Sequence, residues 1–304
     1  MITSSFQILS SFTSCDWGTS NLRICRVEHG EVQATFRSAR GASTMSSREE
    51  FPDVLRAGMA EIGAVAPVVI SGMASSSLGW KELPYAPVPF RLDASDGVVE
   101  EVAPDIFLVS GVCTAEEILR GEETQLMGFD GLPEDAVVIL PGTHSKHCRV
   151  RDGILVDFST FLTGELYAVL SRHSVLRHAI KEGHCDASFR EGVLRGRETP
   201  LLQALFRVRT RQVLDHTDPV TNGAYLSGLL IGAELATLPP EVSVVLAGTG
   251  RLGELYREAF AVLERDGRTH ILSSEDCASL VVRGQQKILG RILHQAHDSG
   301  AVLS

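Results

Sequence analysis

The stretch CDWGTSNLRICRVEHGEV, residues 15–32, decides the fold. Its segment from Leu22 to Val27 predicts a strand that follows a tight turn of small, hydroxyl and amide side chains. With a strand before the turn, the pattern predicts a β-hairpin. Such a turn can direct several backbone N–H groups towards one anion. Asp16, at the mouth of the turn, cannot hold the anion but can bind its magnesium ion, because magnesium prefers carboxylate and water oxygens.

The same arrangement returns in the stretch VVILPGTHSKHCRVRDGIL, residues 137–155. Gly18-Thr19 corresponds to Gly142-Thr143, and Cys25-Arg26-Val27 corresponds to Cys148-Arg149-Val150. Short matches of this kind arise by chance, or they mark a duplicated domain. Under the second interpretation, each half of the chain has its own phosphate-holding hairpin.

Length and composition exclude several classes of protein. The chain has 304 residues, of which 44% are apolar and 22% charged, as in a soluble globular protein of two domains. A net charge of −10 argues against nucleic acid or an anionic membrane as a partner. An uninterrupted apolar run long enough to span a membrane is absent from the sequence.

The cysteines and the N-terminus predict a cytoplasmic location. The six cysteines form no CxxC pair, which predicts reduced thiols. The first residues show no basic region or cleavage site of a signal peptide. We expect about ten of them to form a frayed extension.

Ordered motifs over most of the chain resemble those of the 2-dehydro-3-deoxygalactonokinase family, within the actin-like ATPase and sugar-kinase superfamily. The motifs are DWGTSNLR (16–23), SGMASSSLGWKELPY (71–85), RGEETQLMG (120–128), LPGTHSK (140–146), DFSTFLTGEL (157–166) and LSGLLIGAEL (226–235). The resemblance implies an α/β fold of two RNase H-like (actin-like ATPase) domains with an interdomain active-site cleft. It implies a sugar-binding domain at residues 1–132 and a nucleotide-binding domain at residues 133–304.

The resemblance also implies a reaction. ATP with Mg²⁺ would phosphorylate the 6-hydroxyl group of 2-dehydro-3-deoxy-D-galactonate, and an aldolase would use the product in galactonate breakdown. A homodimer is compatible with this assignment, although the sequence does not determine the oligomeric state. The stereochemistry at C4 of the substrate is also not determined by residue types, so a related 2-keto-3-deoxy sugar acid stays open.

Two phosphate turns and a glycine-rich loop are expected to hold ATP. Gly248-Thr249-Gly250 lies between a predicted strand and a predicted helix, where a helix N-terminus can bind phosphate, and it corresponds to the adenosine-binding loop of the superfamily. The residues expected to bind ATP and phosphate are Gly18, Thr19, Ser20, Asn21, Arg23, Gly142, Thr143, Ser145, Lys146, Gly248, Thr249 and Gly250.

The loop at residues 74–89 is polar and aromatic, and it has two interpretations. Trp80 and Tyr85 could pack an ordinary surface loop, or the loop could form a sugar pocket in which hydroxyl groups meet substrate hydroxyls and a lysine meets a carboxylate. The resemblance favours the pocket. The residues expected to bind substrate are Met73, Ser75, Trp80, Lys81, Tyr85, Arg120, Thr163 and Glu165.

The candidate general base lies in a predicted helix from Ala115 to Met127, which Gly121 interrupts. Related carbohydrate kinases have a Gly-Asp pair before the second phosphate hairpin, and Gly121-Glu122 occupies that place here. The resemblance therefore implies that Glu122 accepts the proton of the attacking hydroxyl group, while Asp16 binds magnesium. Glu123 is the rival base, and a structural role for both glutamates is the alternative.

Other elements follow from hydrophobic periodicity. We expect Thr163 to cap a helix that starts near Glu165, and the basic region 172–220 to form a solvated helical face rather than a nucleic-acid site. Further predicted elements are a helix at 47–59, strands at 67–70 and 106–109, a helix at 222–238, a strand at 242–247, and helices at 252–263 and 276–296.

Two functions other than a kinase are compatible with this fold. A sugar-acid sensor of the same fold would usually have a DNA-binding helix-turn-helix, which is not expected before Cys15. An ATPase without a sugar pocket would not need Trp80, Lys81 and Tyr85. The loop 41–45 departs from the usual family pattern, so a related 2-keto-3-deoxy acid stays open as the substrate.

Overall fold

The computed structural model describes residues 11–298, and the predicted N-terminal extension lies outside them. The described chain groups into two compact units, the first formed by 11–131, 153–157 and 278–298, the second by 132–152 and 158–277. The predicted boundary at 132/133 lies next to the first change of unit. The C-terminal residues differ from the predicted grouping, since they join the first unit. The domain roles predicted for the two parts of the chain stay predictions.

The first unit contains most of the strands, two helices and the greater part of the last helix of the chain. Apart from that last helix, they are β1 (Ser11–Trp17), β2 (Leu22–Glu28), β3 (Glu31–Ser38), α1 (Glu50–Glu61), β4 (Val68–Gly72), β5 (Ala86–Pro87), β6 (Phe90–Arg91), β7 (Val99–Ala103), β8 (Ile106–Val109), β9 (Val112–Cys113), β10 (Ile118–Leu119) and α2 (Glu122–Met127). Three-residue 3-10 helices at Ala42–Thr44 and Met73–Ser75 lie between them.

The sheet of the first unit has the strand order β3-β2-β1-β4-β8-β7. Strands β1, β2 and β3 are antiparallel, whereas β1, β4 and β8 are parallel. Alternate residues of β1 and β2, such as Cys15, Trp17 and Ile24, are buried in one hydrophobic core, which Phe51 and Leu55 of α1 cover. The parallel strands therefore end together, with Asp16 and Gly72 at that edge.

The second unit begins with the second hairpin and is rich in helices. Its elements, followed by the last helix of the chain, are β11 (Asp135–Leu140), β12 (Ser145–Arg151), β13 (Ile154–Phe161), α3 (Thr163–His173), α4 (Asp186–Glu198), α5 (Leu201–Leu205), α6 (Arg207–Leu214), α7 (Pro219–Leu235), β14 (Ser243–Leu246), α8 (Gly250–Val262), β15 (Thr269–Ile271) and α9 (Ser274–Asp298).

In the second six-stranded sheet, β15, β14, β11, β12 and β13 are neighbours in this order. Read from β13, they match the order β3-β2-β1-β4-β8 of the first sheet. Helices α4, α7 and α8 cover a core formed by β11 and β14. Helix α7 lies very close to α4, since a Cβ atom at Gly228 would lie 2.0 Å from the Phe189 carbonyl oxygen. The repeated order confirms the predicted α/β fold of two RNase H-like units. Within residues 11–298, none of the helices has the length and apolar character needed to cross a membrane.

Two local predictions were wrong. Residues 115–121 are not helical. The short strand β10 occupies part of this segment, and the helix starts only after Gly121, which has a φ of +105°. Thr163 is not the N-cap of α3 but its first residue, and its hydroxyl group donates to Glu234 instead. Both errors come from tertiary contacts that the local pattern does not contain.

Candidate active site

The first hairpin turn is exposed at its tip and supported from behind. Thr19, Ser20 and Asn21 are exposed, and the Gly18 N–H group donates to the Asn21 carbonyl oxygen at 2.8 Å. The loop 41–45 lies against the turn. The Ala42 N–H group donates to the Gly18 carbonyl oxygen at 3.0 Å, so the loop fixes the backbone whose N–H groups are the candidate phosphate ligands.

Gly41 explains why this loop can come so near. A Cβ atom at Gly41 would lie 2.3 Å from the Ser20 carbonyl carbon, closer than any side chain tolerates. Ser43 contributes twice, since its backbone N–H and its hydroxyl group both donate to the Thr19 carbonyl oxygen, at 2.9 and 2.8 Å. The loop that departs from the family pattern therefore supports the turn.

Asp16 lies opposite Arg23 in the β1–β2 ladder, and their side chains are 3.5 Å apart. The pKa of Asp16 is raised overall, because burial raises it by more than the guanidinium groups of Arg23 and Arg37 lower it. Because 37% of its side chain is exposed, a ligand can reach the carboxylate. One accessible carboxylate fits the way Mg²⁺ binds, with one or two protein carboxylates plus water and substrate phosphates.

The end of β4 meets the start of α2. Gly72 has a φ of +91°, and a Cβ atom there would lie 2.6 Å from the Trp17 carbonyl oxygen. A Cβ atom at Gly121 would lie 3.4 Å from the Gly72 Cα atom. Glycine at both positions therefore lets two backbone turns come together beside the edge where Asp16 lies.

Three of the predicted substrate residues form one cluster. Arg120 Nη1 donates to the Ser75 carbonyl oxygen at 2.5 Å and to Ser75 Oγ at 2.8 Å, and Arg120 Nε donates to Tyr85 Oη at 3.1 Å. The guanidinium carbon lies 4.1 Å from the centre of the Tyr85 ring. These contacts hold Arg120 in one orientation. Among residues 11–298 no hydrogen-bond partner is found for Nη2, which leaves this edge of the guanidinium for a ligand.

Other predicted substrate residues lie outside this cluster. Trp80 is partly buried and stacks on Phe51 with ring centres 6.5 Å apart, and Met73 packs against the same core. Lys81 is exposed and pairs with Glu100. The structure therefore assigns core contacts to Trp80 and Met73, and an ion pair to Lys81.

Glu122 and Glu123 start α2 in different environments. Glu122 is partly exposed, and one of its carboxylate oxygens accepts from the Arg120 N–H group at 2.9 Å. Glu123 is 1% exposed and accepts from the Gly121 N–H group at 2.7 Å and from Thr124 Oγ1 at 3.0 Å. Burial, and then the charge of Glu122, raise the pKa of Glu123 to about 7.

Helix α9 supports the strand ends and the helix that carry Asp16, Gly72 and Glu123. This role of α9 was not predicted from the sequence. Gln285 is fully buried, and its Nε2 donates to the Cys15 carbonyl oxygen and to Ser71 Oγ, both at 2.8 Å. A Cβ atom at Gly284 would lie 1.9 Å from the Thr124 carbonyl oxygen. Helix α9 thus contacts β1, β4 and α2 in the first unit. A glutamine in an amphipathic helix gives no sequence signal for this role.

In the second unit, the start of α3 packs on the second hairpin turn. The Glu165 N–H group donates to the Thr143 carbonyl oxygen at 3.0 Å, and the Glu165 carboxylate lies 2.5 Å from His144 Nε2. A Cβ atom at Gly164 would lie 2.6 Å from the Gly142 carbonyl oxygen. The structure therefore brings Gly142, Thr143 and Glu165 together, with Thr143 exposed at the tip.

Lys146 and Ser145 follow this turn and are both buried. Lys146 Nζ donates to Thr160 Oγ1 at 3.2 Å, so the lysine is not the solvated surface residue usual in hairpins. Ser145 Oγ donates to the Glu234 carboxylate at 2.7 Å. Sequence reasoning included Glu234 in a motif but gave it no role.

The glycine-rich loop joins β14 to α8. Thr249 and Gly250 are exposed, Gly250 has a φ of +58°, and a Cβ atom there would meet nothing within 4 Å. A Cβ atom at Gly253 would lie 2.4 Å from the Gly248 carbonyl oxygen, so the loop folds tightly onto the first turn of the helix. The helix N-terminus is therefore open to an anionic ligand.

The fold consists of two RNase H-like units, and comparison with known proteins places the chain in the class of carbohydrate kinases. The family 2-keto-3-deoxy-galactonokinase matches residues 16–283. The "Probable 2-dehydro-3-deoxygalactonokinase" of Rhizobium meliloti (strain 1021) is 38% identical over 270 residues, 82% of this chain and 88% of that protein. The 2-dehydro-3-deoxygalactonokinase of Escherichia coli (strain K12) is 32% identical over 272 residues, 84% and 91% of the two chains.

A solved structure agrees with these matches. The crystal structure of "a putative 2-dehydro-3-deoxygalactonokinase protein" from Sinorhizobium meliloti superposes with a TM-score of 0.83 at 34% identity, covering 92% of this chain and 99% of that one. The chain therefore belongs to the 2-keto-3-deoxy-galactonokinase family.

Proposed function

We propose that this protein uses ATP to phosphorylate the 6-hydroxyl group of 2-dehydro-3-deoxy-D-galactonate, giving 2-dehydro-3-deoxy-6-phosphogalactonate for an aldolase step in galactonate catabolism. The main support is the family match over residues 16–283, which includes both hairpin turns and the Arg120 cluster. We place the reaction in the cytoplasm, where the six free thiols would stay reduced.

The second unit supplies the groups proposed for ATP. The turn at Gly142 and Thr143 and the loop 248–250 contain exposed residues whose backbone N–H groups would bind phosphate, and Lys146 adds a positive charge beside Thr160. Lysine acts on phosphate as a compact point charge. The hydroxyl group of Ser145 is bound to Glu234, so we propose that Ser145 supports the turn while its backbone faces the ligand.

The first unit supplies the groups proposed for magnesium and for the acceptor. Asp16 would hold the ion through one carboxylate and water, while the first turn with Thr19, Ser20 and Asn21 holds the transferred phosphate. Bound Mg²⁺ would neutralise charge that develops on the phosphate oxygens. Arg23 lies 3.5 Å from Asp16, so it adds a second positive charge beside the same phosphate.

The Arg120 cluster is the proposed site of the substrate carboxylate. Ser75 accepts from Nη1 and Tyr85 accepts from Nε of the guanidinium group, so Nη2 would donate to the substrate carboxylate. Lys81 is less suited to this role because it pairs with Glu100. We therefore assign the acid group of the substrate to Arg120.

We propose Glu122 as the general base, because it is the partly exposed member of the pair and follows Gly121 directly. Glu123 is the rival, since a pKa of about 7 suits proton transfer at neutral pH. Glu122→Gln should lower kcat by about 10²–10⁴-fold while substrate binding persists. If Glu123→Gln has that effect and Glu122→Gln is mild, the base is Glu123.

A panel of acids tests the substrate. Initial rates with ATP and Mg²⁺ would be measured for 2-keto-3-deoxy acids that differ at C4 and in chain length. We expect the highest kcat/KM for 2-dehydro-3-deoxy-D-galactonate. A higher value for its C4 epimer would make the protein a kinase for a related acid, and tight acid binding without turnover would favour a sensor.

A further inference from the structure

One buried carboxylate in the second unit gathers side chains from several elements. Glu234 of α7 is 3% exposed. One of its oxygens accepts from Ser145 Oγ at 2.7 Å and lies 2.9 Å from His147 Nε2, and the other accepts from Tyr256 Oη at 2.6 Å and from Thr163 Oγ1. None of these four partners is an arginine or a lysine.

The Glu234 carboxylate is the shared hydrogen-bond acceptor of this cluster. A carboxylate has room for about four hydrogen bonds, and burying it without partners would cost several kcal/mol. Burial, and then the charge of Glu234, raise the pKa of Tyr256, so the phenol keeps its proton and donates it. All the hydroxyl groups around Glu234 are therefore oriented by one charge.

The donors come from three segments. Two of them, the second hairpin and the helix behind the glycine-rich loop, belong to the proposed ATP site, and the third, the start of α3, packs on that hairpin turn. Ser145 begins β12 directly after the second hairpin turn. Thr163 begins α3, whose Glu165 N–H group bonds to the same turn. Tyr256 lies in α8, whose first residue, Gly250, closes the glycine-rich loop. Glu234 thus connects the hairpin, the start of α3 and the helix behind the loop.

We propose that Glu234 is a positioning residue, which holds these three segments in the arrangement that binds the ATP phosphates. The proposal rests on the proposed ATP site in the second unit. The Glu234 carboxylate would not contact the ligand itself. It would fix the segments whose backbone N–H groups bind the ligand. Preorganised donors bind an anion more tightly because they need no rearrangement on binding.

Glu234→Gln is the test. Glutamine has nearly the same shape but carries one oxygen and one NH₂ group, so it cannot accept from all of these donors. Losing a charge-assisted hydrogen bond typically costs a factor of about ten or more in an equilibrium. We expect KM for ATP to rise roughly tenfold or more, with KM for the sugar acid within about twofold of wild type.

Arg211→Gln is the matched control, since Arg211 is also buried in the second unit. It donates to Asn222 at 3.1 Å and to Ser188 at 3.4 Å, and it lies over the Tyr225 ring. It contacts α4 and α7 but, among the described residues, none of the three segments that donate to Glu234. Glu234→Gln and Arg211→Gln should both lower stability to urea, but only Glu234→Gln should change KM for ATP.

Tyr256→Phe provides a second test if Glu234→Gln does not fold. It removes only the bond to α8, so KM for ATP should rise about threefold. Unchanged KM for ATP in Tyr256→Phe, or equal changes in Glu234→Gln and Arg211→Gln, would overturn the proposal. Binding of a fluorescent ATP analogue separates this outcome from failure of the proposed function, in which wild type and Lys146→Ala would bind the analogue equally poorly.

Discussion

Replacing Glu123 by glutamine should change how stability depends on pH. The pKa of this buried carboxyl group is raised from 4.5 to about 7, so the folded protein holds the proton more tightly than the unfolded chain. Stability therefore falls as pH rises from about 4.5 to about 7 and is level above that. At about 1.36 kcal/mol per pKa unit, the full effect is about 3 kcal/mol.

Glutamine mimics the protonated acid in shape and removes this dependence. The amide oxygen can still accept from the Gly121 N–H group, and the NH₂ group can donate to Thr124 Oγ1. Glu123→Gln should therefore match wild type near pH 4.5 and be more stable by up to about 3 kcal/mol at pH 8. Urea unfolding at several pH values, followed by circular dichroism, measures the difference.

Glu122→Gln is the control for this experiment. It removes the second cause of the raised pKa and leaves the first, which is burial, so the fall in stability should persist with a midpoint at lower pH. A constant difference between wild type and Glu123→Gln from pH 4.5 to pH 8 would show that the carboxyl group has an ordinary pKa, and the reasoning would fail.

Three further substitutions test separate parts of the site. Asp16→Asn should fold normally and lose about 10²-fold or more of kcat, measured over a magnesium titration; near-normal turnover at saturating magnesium would contradict a role in binding the ion. Lys146→Ala should raise KM for ATP about tenfold, and unchanged ATP binding and turnover would leave the lysine without a role. Arg120→Lys should raise KM for the sugar acid about tenfold with KM for ATP unchanged; equal effects on both constants would point to lost packing instead.

The repeated hairpins could be predicted because their signal is local. Turn residues between short apolar runs define β-strands whatever surrounds them, and Gly18 and Gly142 do lie in turns between paired strands. Helix α7, which is apolar on nearly all sides, and helix α8, whose apolar residues recur at helical spacing, could be predicted for the same reason.

The parts that failed depend on contacts between distant residues. The helix predicted from Ala115 begins only after Gly121, because that glycine packs on Gly72 with a positive φ. The role of Glu234 requires partners far from it in sequence, and a lone glutamate in an apolar helix does not indicate them. The grouping of α9 with the first unit likewise depends on Gln285 and Gly284.

The most direct test of the account is the reaction itself. Wild-type protein would be incubated with ATP, Mg²⁺ and 2-dehydro-3-deoxy-D-galactonate, and the mixture followed by ³¹P NMR with proton correlation. The account predicts a new phosphomonoester coupled to the C6 protons, formed in equal amount to ADP, with ATP stable when the acid is omitted. Release of free phosphate at the same rate with and without the acid, or a phosphate attached elsewhere on the acid, would contradict it.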